Sequence, residues 1–293
     1  MYQVIVNALS KSPELQVYAL VDGALLNTMP RRAQQVWGKM GGQSLFKGIS
    51  EDVANAGPLL FALNDAKAHE QAIALLRDEV SGQTAGSFIL SFASLNAIAD
   101  NLGNLLDVQL SDSMVMVMRF FDPRILPNWL TVIEPPYPSY LAEVIHCWAY
   151  WQADQTPCIQ EIHPQGNSTA ERPEWPMQLS QEQEDKLTQH SYPYLLLEQF
   201  KAYDPQALVT TPPAQRYAFL DAQIQRGKAH GLDAHGDLQA YCAVALQYGA
   251  DFDKDARVSA ALARVKTDQL PFDEAIDLVP NAHWQQLERK VAS

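Results

Sequence analysis

The sequence predicts an α/β domain, with a mixed, largely parallel sheet and flanking helices, followed by a smaller all-α lobe. Three observations support this prediction. Short apolar runs alternate with helix-like segments in the first half of the chain. Strand–helix–strand units of this length favour parallel strands joined by right-handed crossovers. After about residue 180, nearly every segment has helical periodicity.

Short apolar runs mark the predicted strands of the first half. Residues 17–21 form the first run, which ends at an Asp-Gly turn. Residues 59–63 and 87–91 give two further runs of the same kind. A helix is predicted over residues 66–80, between these two strands, because its apolar positions fall on one face.

A hairpin and a turn follow. Residues 108–121 predict two strands around a Ser-Asp-Ser turn, and this hairpin is expected to add an antiparallel edge to the sheet. Asp122 is then expected to cap a helix whose first residue is Pro123, because proline has no amide to leave unsatisfied there. Further strands are predicted at residues 148–151 and 158–162.

The domain boundary is placed where proline and glycine accumulate and apolar residues become scarce. This gives an α/β domain over residues 1–165, a linker over 166–180 and a helical lobe over 181–293. In the lobe, Asp237 is expected to cap the clearest helix and Gly249 to end it. The apolar residues on one face of that helix are Leu238, Tyr241, Cys242, Ala245 and Leu246.

Composition excludes several classes of function. The chain has 293 residues, of which 47% are hydrophobic and 19% charged, as in a globular protein with a real core. Its formal net charge is −13 and it has no cluster of basic residues, which argues against nucleic acid and anionic membranes as partners. The first residues lack the pattern of a secretory signal, and three cysteines without a CxxC pair suit a reducing compartment. We therefore expect a cytoplasmic protein.

Weak motifs each have a structural alternative. Residues 41–43 (Gly-Gly-Gln) match the tripeptide of peptidyl-tRNA hydrolysing factors, but a loop explains them better. His230 and His235 are flanked by glycines, which favours helix ends over a metal site. The acidic residues within 251–255 lack the glycine and glutamate of a calcium loop, so solvated charge is expected. With no GxSxG, P-loop, GxGxxG or HExxH sequence, we expect no catalytic residue, metal or cofactor.

The most distinctive segment is residues 118–124 (Met-Arg-Phe-Phe-Asp-Pro-Arg). Two arginines and an aspartate at a strand-to-helix turn are able to bind a carboxylate or a phosphate. The alternative is structural. Asp122 then caps a helix, Phe120 faces the core, and an arginine pairs with an acid such as Asp22 at the end of a neighbouring strand.

The same segment carries a family resemblance. Residues 119–124 resemble the "RFYDPR" signature of a domain-of-unknown-function family whose members serve as type VI secretion effector adaptors. Residues 18–24 resemble the family's "YALLDAA", residues 45–48 its "LFDGT" and residues 56–60 its "VGPWLV". Residues 87–91 take the place of its central strand.

Two positions depart from the family pattern: Lys47 stands where an acid is common and Leu59 where an aromatic residue is common. Neither position is catalytic. The resemblance implies structural or partner-binding roles for the residues of its motifs. These are Asp22, Gly23, Phe46, Gly48, Gly57, Pro58, Arg119, Phe120, Asp122, Pro123 and Arg124.

The resemblance implies a non-enzymatic adaptor that binds a specific effector in the cytoplasm and loads it onto the spike protein of the secretion apparatus. Trp148, Tyr150 and Trp151 are candidate anchors for a partner, although all three are equally suited to the core. Two alternatives remain. One is an α/β enzyme with a helical cap and a site at the strand ends near Asp22, Ser91 and Arg119, and the other is a scaffold with a single helical repeat.

Overall fold

The computed structural model describes residues 1–48, 50–77, 85–164 and 172–291. The chain divides into two compact units, Met1–His190 and Ser191–Ser293. The domains predicted at 1–165 and 181–293, with a linker at 166–180, stay a prediction, and residues 165–171 lie outside the described residues. Within the described part, no helix combines the length and the apolar character needed to cross a bilayer.

All the strands among the described residues lie in the first unit. They are β1 (Gln16–Asp22), β2 (Gln43–Ser44), β3 (Pro58–Leu63), β4 (Gly86–Ser91), β5 (Asp107–Gln109), β6 (Val115–Val117), β7 (Cys147–Trp151), β8 (Pro157–Glu161) and β9 (Met177–Gln178). Six of them form one sheet in the order β2-β3-β1-β4-β7-β8, and the other three form a small sheet in the order β6-β5-β9.

Helices separate the strands and fill the second unit. They are α1 (Tyr2–Lys11), α2 (Gly23–Thr28), α3 (Arg31–Met40), α4 (Glu51–Ala56), α5 (Ala66–Leu76), α6 (Leu95–Asn104), α7 (Leu126–Val132), α8 (Tyr137–Ala142), α9 (Gln181–Tyr203), α10 (Pro213–Ala229), α11 (His235–Tyr248), α12 (Ala256–Thr267), α13 (Phe272–Asp277) and α14 (Asn281–Val291). The predicted helix 66–80 corresponds to α5, and its last three residues lie outside the described residues.

The prediction of a largely parallel sheet is wrong. Every pairing in the six-stranded sheet is antiparallel. The strand–helix–strand unit β3-α5-β4 does bring two strands into the same direction, because both run antiparallel to β1. However, β1 lies between them and pairs with both, so the two parallel strands are not neighbours.

Apolar side chains cover both faces of the six-stranded sheet. One cluster contains Tyr18, Leu20, Ile89, Trp148 and Tyr150, and the opposite cluster contains Val17, Ala19, Phe88, Leu90 and Trp151. Burial on both faces turns each central strand into a continuous apolar run, the pattern typical of parallel strands. This is why the sequence misled the prediction of strand direction.

The predicted hairpin is present as β5 and β6, but it does not extend the main sheet. β5 pairs with β6 on one side and, in parallel, with β9 on the other. The expectation of an antiparallel edge on the main sheet is therefore wrong. The pairing also shows that Met177–Gln178, within the predicted linker, belongs to the first unit.

The second unit is helical, as predicted for the end of the chain. In α11 the five apolar residues expected on one face, Leu238 to Leu246, are all buried. Gly249 ends this helix with φ +94°, which confirms its predicted role. Asp237 does not cap the helix, because α11 begins two residues earlier, at His235.

Candidate functional site

The residues of the family-like motifs converge at one end of β1. Asp22, the last residue of β1, pairs with Pro58, the first residue of β3. The amide of Gly23 donates a 2.9 Å hydrogen bond to the carbonyl of Gly57. A Cβ on Gly23 would lie 2.2 Å from the carbonyl oxygen of Asn55 and 2.5 Å from that of Gly57. Only glycine therefore fits at this crossing of the chain.

Phe46 closes the same end of the sheet. Its ring lies against Gly57, where a Cβ would come within 2.2 Å of the ring carbons. The preceding residue, Leu45, is held by a 3.0 Å hydrogen bond from its amide to the carbonyl of Pro58. Gly48 adopts φ +71°, a left-handed conformation that favours glycine. Three separate motifs thus form one packed corner.

Asp22 is the polar centre of this corner. Its side chain is 1% exposed. Oδ1 accepts hydrogen bonds from the amides of Ala24 (3.0 Å) and Leu25 (3.4 Å) at the start of α2, and Oδ2 accepts one from Nη2 of Arg119 (2.6 Å). Burial raises the pKa of the Asp22 carboxyl above its usual range, although Arg119 and the two amides oppose the shift.

Asp122 holds the second arginine. Its side chain is 2% exposed and accepts hydrogen bonds from the backbone amide (3.0 Å) and from Nε and Nη2 (2.9 and 2.6 Å) of Arg124. Nη2 of Arg119 lies 3.7 Å from the same carboxylate. The cluster has zero formal charge, because two buried carboxylates face two arginines. The side chains of Arg119 and Arg124 are 46% and 30% exposed.

The predicted helix start at Pro123 is wrong. α7 begins at Leu126, and Pro123 lies in a turn before it. The Asp122 side chain caps that turn rather than the helix, because it bonds the amide and guanidinium two residues later. The Asp122 carbonyl oxygen accepts the amides of Ile125 and Leu126, which leads the chain into α7.

Phe120 and Phe121 fix the segment to the core. Phe120 is fully buried, stacks on Trp129 at 4.8 Å between ring centroids and meets the edge of Trp148 at 6.3 Å. The guanidinium of Arg119 lies over the ring of Phe121, 5.4 Å from its centroid. The predicted burial of Phe120 and the predicted pairing of an arginine with Asp22 are both confirmed.

The aromatic residues of β7 occupy the core. Trp148, Tyr150 and Trp151 are all buried, with Trp148 and Tyr150 on one face of the sheet and Trp151 on the other, as the strand alternation predicts. The indole of Trp148 donates a 2.9 Å hydrogen bond to Oγ of Ser87. In this structure none of the three offers an exposed anchor to a partner, and the core alternative accounts for them.

A buried charged cluster in the second unit was not predicted. Asp253, expected to be solvated, is 6% exposed. Its carboxylate accepts hydrogen bonds from the hydroxyl of Tyr241 (2.6 Å) and from Arg226, and lies 3.1 Å from Nε2 of His230. Burial raises the pKa of Asp253, but these three partners lower it by more, so the carboxyl titrates below its usual range.

No local pattern in the sequence indicates this cluster, because the partners of Asp253 lie 12 to 27 residues away along the chain. His235 does not join it; its Nδ1 lies 2.8 Å from the hydroxyl of Tyr192. Among the described residues, no group of three or more His, Cys, Asp or Glu side chains is placed to hold a metal ion.

Comparison with known families identifies a match over part of the chain. A family model described as "Domain of unknown function (DUF4123)" matches residues 17–139, less than half of the chain. This family is associated with type VI secretion effectors. The matched span contains Asp22, Arg119, Asp122 and the packed corner around Gly57, which supports the resemblance for this part of the chain. No curated protein and no solved structure matches the chain significantly.

Proposed function

We propose that this protein is a non-enzymatic adaptor that binds a specific type VI secretion effector in the cytoplasm and loads it onto the spike protein. The observation that carries the proposal is the family match over residues 17–139, since family members are associated with effector adaptor roles. The matched residues do not form a scattered set. The structure gathers the most distinctive of them, from Asp22 to Arg124, into one charged and packed corner.

The chemistry of that corner supports an adaptor over an enzyme. A general base or a nucleophile needs a lone pair that a substrate can reach. The carboxylates of Asp22 and Asp122 are buried, and their oxygens accept hydrogen bonds from amides and guanidinium groups of the chain itself. Their arrangement serves to fix α2 and the turn before α7.

The antiparallel sheet also separates the residues of the alternative catalytic site. An enzyme with a site near Asp22, Ser91 and Arg119 requires Asp22 and Ser91 at the same end of the sheet. Ser91 pairs with Gln16 at the start of β1, whereas Asp22 is the last residue of that strand. The two positions are therefore roughly 20 Å apart along the strand. The enzyme alternative depended on a shared strand end for Asp22 and Ser91, and the antiparallel sheet does not provide one.

The net charge fits a protein partner. A chain of formal charge −13 without a basic cluster repels the phosphates of nucleic acid and the head groups of anionic membranes. An effector and a spike protein are accordingly the proposed partners. Charge complementarity then favours a binding segment with basic residues on the partner's side.

Co-expression and gene deletion test the proposal. The full chain is co-expressed with the effector and the spike protein encoded nearest to it, and its gene is deleted in the native strain. We expect co-purification with at least one of the two proteins, and loss of delivery of that effector alone while the apparatus still assembles. Normal delivery after deletion, or failure of the whole apparatus, would contradict a dedicated adaptor.

A further inference from the structure

An apolar edge strand is exposed in the three-stranded sheet. β6 lies at the edge of the order β6-β5-β9. Met114, Val115, Met116 and Val117 are 58%, 55%, 46% and 38% exposed. Proteins usually protect such an edge with lysine, proline, a bulge or a covering segment, because it invites pairing with another strand. Residues 114–117 contain neither lysine nor proline.

Backbone hydrogen bonds show which groups face the open edge. The carbonyl of Met114 accepts the amide of Leu110, and the amide of Met118 donates to the carbonyl of Leu106. Every second residue of β6 therefore faces β5, and Val115 and Val117 direct their amides and carbonyls the other way. Among the described residues, no other group donates a hydrogen bond to these two carbonyls or accepts one from these two amides.

The pairing of β5 with β9 also indicates that Val115 does not bond to β5. The carbonyl of Gln109, the residue opposite Val115, accepts the amide of Leu179 at 2.9 Å, so it points away from β6. The edge thus offers two donors and two acceptors at the spacing of an antiparallel ladder. An extended segment is the form of polypeptide that satisfies such a row.

The side chains of β6 present apolar surface on both faces of the edge. Val115 and Val117 lie beside Gln109 and Asp107 on the outer face, and Met116 lies beside the buried Val108 on the inner face. A strand laid along β6 would cover the valines with one set of alternate side chains and the methionines with the other.

The charged residues around β6 indicate which kind of segment would bind along it. Residues 107–118 contain Asp107 and Asp112 and no lysine, arginine or histidine. Glu184 lies against the hairpin turn, where its carboxylate accepts the amide of Ser111 at 2.6 Å. These acids favour an incoming segment with basic residues and disfavour a second copy of this chain, which would bring the same acids and the same charge of −13.

We propose that β6 is a docking strand, which takes up an extended segment of a partner protein by strand addition. The segment carries apolar residues at alternate positions and basic residues at its ends. That the partner is a secretion effector rests on the proposed function, whereas strand addition itself does not. The two ideas are therefore tested separately.

The test uses a labelled synthetic peptide, Lys-Val-Thr-Val-Thr-Val-Lys, and its counterpart with glutamate at both ends, each titrated into the full chain and followed by fluorescence anisotropy. We expect saturable binding of the lysine-ended peptide and about tenfold weaker binding of the glutamate-ended peptide. Hydrogen exchange at residues 114–117 should slow when the first peptide binds. Equal binding of both peptides, or no saturable binding, would overturn the proposal.

Variants locate the binding edge. Val115→Pro removes an amide that faces the open edge and leaves the bonds to β5 intact, and Val117→Lys adds a positive charge on the outer face. Each should weaken binding of the lysine-ended peptide by about tenfold or more. Val209→Lys alters an exposed valine of the second unit and should change nothing. If Val115→Pro fails to fold, Val117→Lys decides the question, and unchanged binding by a folded Val117→Lys variant would overturn the proposal.

A second copy of the chain is the competing occupant. Sedimentation of the free protein that shows a dimer, abolished by Val117→Lys, would assign the edge to self-association instead. Failure of the proposed function is a distinct result. In that case the peptide binds as expected, but neither the neighbouring effector nor the spike protein co-purifies with the wild-type chain.

Discussion

Nη2 of Arg119 donates a 2.6 Å hydrogen bond to Oδ2 of Asp22, which lies 97 residues earlier in the chain. The bond joins the end of β1, in the centre of the six-stranded sheet, to the segment that leaves the three-stranded sheet after β6. Because Oδ1 of Asp22 also accepts two amides of α2, one buried carboxylate fixes three elements.

Replacing Asp22 should therefore destabilise the first unit. In Asp22→Ala the two amides of α2 and the guanidinium of Arg119 lose their acceptor, and we expect a loss of about 1–3 kcal/mol in the free energy of unfolding. Urea denaturation measures it. The matched control is Lys47→Ala, which breaks an exposed 2.5 Å ion pair with Asp100 and should cost less than about 1 kcal/mol. Equal effects of the two variants would contradict the central role of Asp22.

Gly23 and Gly38 should respond to alanine in opposite directions. A Cβ on Gly23 would lie 2.2 Å from the carbonyl oxygen of Asn55, so Gly23→Ala must displace backbone and should cost about 1–3 kcal/mol. Gly38 lies inside α3 with nothing within 4 Å of the added carbon. Gly38→Ala should therefore stabilise the protein by about 0.5–1 kcal/mol. Thermal unfolding of both variants checks the pair, and destabilisation by Gly38→Ala would be the contrary result.

Much of the corner around Asp22 was predictable, because its signals are local. The Asp-Gly turn after an apolar run predicts an acid at a strand end, and the Arg-Phe-Phe-Asp-Pro-Arg segment predicts an arginine nearby. Their pairing is confirmed. The helix start at Pro123 failed because the Asp122 carboxylate is engaged by Arg124, two residues away, instead of by a helix.

Strand direction was not predictable from the same signals. A helix between β3 and β4 indicates that the two strands run the same way, but it does not show whether a third strand lies between them. β1 occupies that place, and its pairing with both neighbours is a long-range property. The Asp253 cluster was missed for the same reason, since its partners come from separate helices.

The stability of the second unit should fall on the acid side because of Asp253. The groups that face its carboxylate are Arg226, His230 and Tyr241. They hold its pKa below the value of about 3.9 for an unfolded aspartate. Its contribution to stability is therefore complete above that value and is lost as the pH falls through the folded pKa. The raised pKa of Asp22 has the opposite effect on the first unit, because its contribution to stability is lost as the pH rises through the folded pKa.

The Asp253→Asn variant isolates the contribution of the Asp253 charge to the pH dependence of stability. At pH 7 the variant should be less stable than the wild type by about 1–3 kcal/mol, because the partly exposed Arg226 and the buried Tyr241 lose a charged acceptor. The difference should shrink as the pH is lowered below about 4. Urea unfolding across the pH range measures it, with Asp233→Asn, an exposed acid of the same unit, as the control. A difference that stays constant with pH would show that the charge of Asp253 is not responsible.

Variants of Asp122 test whether the charged corner has a structural role or binds the partner. Its side chain is 2% exposed and is held by the amide and guanidinium of Arg124, so a partner has little access to it. We expect Asp122→Ala to lower the free energy of unfolding by about 1–3 kcal/mol, and Asp122→Asn to lower it less, because the amide oxygen still accepts the Arg124 amide. Co-purification with the partner, measured well below the unfolding midpoint of each variant, should remain at the wild-type level. Val117→Lys is the complementary variant, since it lies on the exposed docking strand and should reduce co-purification without reducing stability. If Asp122→Asn instead abolishes co-purification while its unfolding midpoint is unchanged, the charged corner itself contacts the partner and the structural interpretation of Asp122 is wrong.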